Sequence, residues 1–174
     1  MLEIFRYYGR CNKAVNDAML EVLERAEPGT FRHDVGGYYP SVGAILEHVY
    51  KADLNWLTDF RTARPFKSLT REGASALLDN LPDRDLLLFP SLDSFAPARK
   101  ALDEVFLGFT EELSDTDLGL VLHRRNRKGE LTEKILWKAL IHVFNHQTHH
   151  RGMVAEVLDQ LGVENDFSNL VRIE

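Results

Sequence analysis

The chain has 174 residues, 44% of them hydrophobic, which is enough for one domain spanning residues 1–174 with a sizeable core. Its 27 acidic residues outnumber 21 basic ones, for a formal net charge of −6, and this argues against a nucleic-acid partner, whose phosphates demand concentrated Lys and Arg. A lone cysteine, Cys11, excludes an intramolecular disulfide framework and suits a reducing compartment, and no stretch approaches the roughly 20 apolar residues of a membrane span.

Residues 2 to 26 contain no proline. Phe5, Tyr8, Asn12, Val15, Met19, Val22 and Ala26 recur there at spacings of three and four, which predicts one helix. Glu3, Arg6 and Arg10 at its start are unlike a signal peptide, so a cytoplasmic protein is expected. Pro28-Gly29 ends this helix, and Gly36-Gly37 with Pro40 marks a loop. Ser41 is the expected N-cap of a second helix over 41–63, with Val42, Ile45, Val49, Ala52, Trp56 and Phe60 facing inward. Pro65, Pro82 and Pro90 break the next stretch into a long connection holding one short helix near Glu72 to Asp79. A third long helix is predicted over 94–113. Two short runs around Val121 and Leu131 flank Asn126-Arg127-Lys128-Gly129, which predicts a hairpin. The fourth helix, over 134–161, stops at Gly162. The expected fold is therefore all-α: a four-helix bundle with one long crossover and a small β-hairpin before the last helix.

The stretch His142 to Gly152, "HVFNHQTHHRG", carries four of the chain's seven histidines. On a helical wheel, Ile135, Ala139, His142, His146, His150, Met153 and Val157 fall within about 40° of one direction. That places the histidines in the middle of the expected buried stripe. Neighbouring buried imidazoles each need a partner and cannot all be charged, whereas a divalent metal ligates them in the neutral form. His146 and His150, one turn apart, supply two ligands. His48, at the edge of the second helix's stripe, fits as the third. Gln147 stands where the zinc-protease signature H-E-x-x-H needs a catalytic Glu, and no His follows a Glu at the E-x-x-H spacing of di-iron bundles. Three histidines with an open position match catalytic rather than structural zinc. Two residues are candidates for a catalytic role. Asp53 either supports the ligands or is an exposed helix charge; His142 either orients a bound ligand or donates to a backbone carbonyl. Leu140, Phe144 and Leu158 lie off the stripe, and this surplus apolar surface predicts self-association, the alternative being that part of it lies under the 65–92 connection.

Three stretches carry a resemblance across nearly the whole chain: "SVGAILEHVYKADLNWL", "RRNRKGE" and "HVFNHQTHHRGM". The sequence resembles the DinB-like (YfiT-like) family of metal-dependent enzymes, whose members share an N-H-x-x-H-H-R-G-Q signature. The resemblance implies metal ligands at His48, His146 and His150, a divalent ion such as zinc or nickel, and a homodimer. Among the functions it implies is a thiol S-transferase using a low-molecular-weight thiol. Met153 stands where the family pattern has Gln. A metal-dependent transferase or hydrolase acting on a small molecule is the expected function, with a non-catalytic metal-binding stress-response protein as the alternative.

Overall fold

The computed structural model describes residues 1–83, 86–125 and 129–173. Four long helices form the bundle: α1 (Leu2–Arg25), α2 (Val42–Ala63), α5 (Leu92–Glu112) and α6 (Leu136–Gln160). Two short helices, α3 (Lys67–Thr70) and α4 (Glu72–Leu78), lie on the crossover between α2 and α5. Strands β1 (Val121–Arg125) and β2 (Leu131–Ile135) pair antiparallel, Val121 opposite Ile135 and Arg125 opposite Leu131. The predicted turn residues Asn126 to Lys128 lie outside the described residues. No helix among the described residues is long and apolar enough to cross a membrane.

Local chemistry sets the boundaries. Ser41 caps α2 as expected, its Oγ accepting from the Ala44 N–H at 3.2 Å. The third long helix begins two residues earlier than predicted. Its cap is Ser91, which pairs with Ser94 in a reciprocal capping box, so Ser94 lies inside the first turn. β2 runs directly into α6 at Leu136, without a loop between them. At the other end of α2, Arg64 grips Asp117 through Nε at 2.6 Å and Nη2 at 2.9 Å, tying the helix to the turn that leads into β1.

α1 packs along α5, and α2 along α6. One apolar cluster runs through all four long helices, centred on Phe60, Phe66, Phe95, Phe106 and Phe109. Leu140, Phe144 and Leu158 belong to it, with at most 4% exposure. The surface expected to drive self-association is therefore this chain's own core. The same residues reset the helical wheel. The buried face of α6 takes in Leu136, Ala139, Leu140, Val143, Phe144, Gln147, His150, Arg151, Val154, Val157 and Leu158, so Ala139, His150 and Val157 of the predicted stripe are buried and its centre is shifted towards Gln147 and Arg151. His150 sits at the edge of that face and His146 is half-buried, while His142 is exposed.

α1 and α5 approach closely at Gly9. A Cβ added there would stand 2.1 Å from Thr110 Oγ1 and 2.9 Å from Thr110 Cβ. Thr110 is fully buried and its hydroxyl is bonded to the Leu107 carbonyl, so it has no space to retreat into. Gly9→Ala is expected to destabilise the fold by about 1–3 kcal/mol, the usual range for overpacking. Urea unfolding measures this, and adding Thr110→Ala should restore part of the loss. No change in midpoint would mean that the two helices separate at little cost.

Candidate metal centre

Packing of α2 against α6 sets His48 opposite His146 and His150. His146 Nε2 lies 3.1 Å from His48 Nε2 and 3.1 Å from His150 Nε2. The three residues are the ones among the described residues whose ligand atoms converge within 4.8 Å as a group able to hold a metal. His146 and His150 reach one point because i and i+4 side chains share a helix face. His48 meets them because its position on α2 borders the packed face.

The contacts cannot all be hydrogen bonds. A neutral imidazole Nε2 carries one hydrogen or one lone pair, so His146 Nε2 can make one proper bond, yet two nitrogens stand at hydrogen-bond distance from it. Protonation is no remedy. Burial, followed by the neighbouring His146, His48 and His149, pushes the His150 imidazole down to about 4. Burial likewise lowers His146, against the pull of the Asp53 charge. An ion ligated by all three Nε2 lone pairs satisfies the whole set, and tetrahedral nitrogens about 2.0–2.1 Å from an ion lie about 3.3 Å apart, close to the spacing present. The donor set thus fits a divalent metal.

Tyr39 backs the site, its ring 5.0 Å from that of His48 and edge-on to His150 at 5.6 Å. The loop that presents it turns through Gly36 and Gly37, with φ of +76° and +86°, a region open to glycine at no steric cost. The Val35 N–H closes the loop on the Pro40 carbonyl at 2.8 Å. A cleft of about 700 Å³ opens beside His48, with Tyr38, Tyr39, Ala52, Asn55 and Arg124 among its lining residues. Its wall is fastened by Glu47, which pairs with Arg32 at 2.8 Å and Lys51 at 2.9 Å and accepts from the Leu88 N–H. Arg124 lies over Trp56 and pairs with Asp59 at 3.0 Å.

The other predicted residues are placed differently. Asp53 is neither an exposed helix charge nor a cleft residue. It is fully buried behind the triad, its Oδ2 accepting from Arg99 Nη1 at 2.8 Å and its Oδ1 from Gln147 Nε2 at 3.1 Å. With both oxygens engaged there, it reaches the site through the Gln147 amide and through the pull of its charge on His146. His142 is exposed, its ring 5.3 Å from Trp56 and 6.3 Å from His146. Met153 is half-buried and packs against the core. His33 ends a one-turn helix before α2, and His123 sits on β1, 3.7 Å from Glu133; neither joins the triad.

Behind the histidines lies a polar layer that apolar periodicity does not reveal. Arg99 bridges Asp53 and Asp103, meeting the latter through Nη2 at 2.8 Å and Nε at 3.1 Å, and Asn16 donates to Asp103 at 2.8 Å. All these groups are buried. The one sequence signal for it is Gln147, a polar residue between His146 and His150 whose amide reaches Asp53.

Asp103 gives the layer a pH signature. Burial raises its carboxyl from 3.8 to about 6, against the attraction of Arg99. Between these values the folded chain holds a proton that the unfolded chain has released. The contribution therefore favours folding at low pH and is lost as the pH rises through about 6. Urea titrations at about pH 5 and pH 7 should show this loss in the wild type and a smaller one in Asp103→Asn. The same pH difference in both proteins would assign it to another group.

A helical bundle whose second and last long helices converge three histidines beside an open cleft defines a class of candidate metal-binding proteins. The DinB family model matches residues 2–173, and the chain belongs to the DinB family. It is similar to Protein DinB of Bacillus subtilis (strain 168), 24% identical over 156 residues that cover 87% of this chain and 82% of the relative. No solved structure matches the chain.

Proposed function

We propose that His48, His146 and His150 hold one divalent ion, zinc or nickel, and that the chain is a metal-dependent enzyme, a thiol S-transferase or hydrolase acting on a small molecule in the adjoining cleft. The observation that carries this reading is the double 3.1 Å contact at His146 Nε2, which hydrogen bonding leaves half satisfied and a shared ion completes. When bound, a divalent ion supplies the charge that holds a thiol or a water as its anion at neutral pH.

The chain's own residues supply the rest. Depressed basicity keeps the His146 and His150 lone pairs free at neutral pH. Tyr39 restrains two of the three rings, and the Glu47 pairs keep the cleft wall in place. His142, exposed one turn before His146, has its ring against that of Trp56 and is not among the lining residues of the cleft, so no role on the bound molecule is given to it.

The test has two stages. Protein loaded with zinc or nickel and dialysed against a mild chelator should keep a single ion per chain; loss of all metal overturns the site. The loaded protein is then assayed with low-molecular-weight thiols and electrophilic test substrates, and separately with hydrolysable esters and amides. Turnover dependent on the metal supports the enzyme. Retained metal without turnover in either panel leaves the non-catalytic metal-binding role.

A further inference from the structure

Two buried polar atoms beside the triad lack a hydrogen-bond partner among the described residues: His150 Nδ1 and Gln147 Oε1. Orphaned buried polar groups are rare and call for an explanation. Gln147 and His150 also line the same small cavity, of about 10 Å³, together with Asn16, Arg99 and Arg151. Met19, Leu46 and Val49 make much of the remaining wall apolar, but the volume admits the centre of one water molecule, and the two orphaned atoms supply the minimum of two partners that a buried water needs.

The amide of Gln147 has a fixed sense. Its Nε2 donates to Asp53 Oδ1 at 3.1 Å, so its Oε1 is left as a pure acceptor. Asp53 is itself clamped by Arg99. His150 turns Nε2 towards His146, so Nδ1 is the ring atom left over.

We propose that Gln147 is a positioning residue for His150, acting through one water in this cavity. The water accepts from His150 Nδ1–H and donates to Gln147 Oε1. Holding the hydrogen on Nδ1 leaves the Nε2 lone pair free and aimed at the centre of the triad. The chain of contacts runs Arg99, Asp53, Gln147, water, His150, and gives the buried Asp53–Arg99 pair a use at the site. Partners of this kind fix the tautomer and orientation of ligating histidines, and their loss usually weakens metal binding 10–100-fold. The metal consequence rests on the function proposed above; the tautomer does not.

The experiment uses the full chain with nitrogen-15 in its histidines. Long-range proton–nitrogen correlation spectra of the metal-free wild type should show His150 protonated at Nδ1, with a cross-peak from that hydrogen to a bound water. His150 protonated at Nε2 overturns the proposal without reference to any metal or variant. In Gln147→Met, of similar length and unable to accept the water's hydrogen bond, His150 should become a mixture of tautomers and zinc affinity should fall about 10–100-fold. A folded Gln147→Met with wild-type tautomer and wild-type affinity overturns it as well. If the wild type binds no zinc but shows the Nδ1–H tautomer and its water, the function proposed above fails and the positioning role stands.

Discussion

His150→Ala is expected to lower the affinity for zinc or nickel by at least about 100-fold while leaving the bundle folded. Changes to the partners of metal-ligating histidines already cost about 10–100-fold, so loss of a ligand should cost no less. The fold should tolerate the change because His150 lies at the margin of the α6 stripe, with Phe144, Val154 and Leu158 carrying the packing. Calorimetric titration of the metal-free protein reads the affinity, and far-ultraviolet circular dichroism reads the helix content. His48→Ala should behave alike, since its ring nitrogen stands 3.1 Å from that of His146. Wild-type affinity in either variant would remove that residue from the ligand set. His123→Ala, on the hairpin and outside the triad, serves as the control that should change nothing.

Arg99→Met should be the most destabilising single substitution behind the site. It strands Asp53 and Asp103, both buried to within 1% of full enclosure, without their shared cation. Removing one partner of a buried ion pair typically costs about 3–5 kcal/mol, because the remaining charge has neither water nor a counterion. Urea or thermal unfolding measures the loss. Replacing Arg99, Asp53 and Asp103 together by apolar residues of similar volume should recover part of it, the Gln147 and Asn16 amides then lacking their acceptors. A single variant as stable as the wild type would show that the two carboxylates are neutral in the fold without help from Arg99.

The bundle was largely legible in the sequence because its long helices carry threes-and-fours spacing and strong stop signals. Ser41 as a cap and the Pro-broken crossover follow from short-range chemistry, which a sequence displays directly. The triad was legible for a related reason: i, i+4 spacing is a property of one helix, and the resemblance to the DinB-like family pointed to His48 as well. What stayed hidden were choices made by the partner helices. A wheel built on apolar residues and histidines could not know that Gln147 and Arg151 occupy the centre of the buried face, so it turned α6 towards its histidines and left Leu140, Phe144 and Leu158 outside. Asp53 was ambiguous for the same reason. Its counterion, Arg99, is 46 residues away on α5, and nothing local announces the pair. Tyr39 was invisible because its place over the rings depends on how the Gly36-Gly37 turn closes.

His48 and His146 stand 98 residues apart in the chain yet 3.1 Å apart in space. A histidine cluster split in this way does not exist in the nascent last helix, which offers only two of its members. Closing so long a loop is entropically expensive and belongs late in assembly, after the local helices have formed. Any ion held by all three rings would therefore bind the finished bundle far better than its precursors, and would raise the apparent stability with the logarithm of its free concentration. In a refolding experiment the uptake of metal would serve as a clock for the docking of α2 on α6.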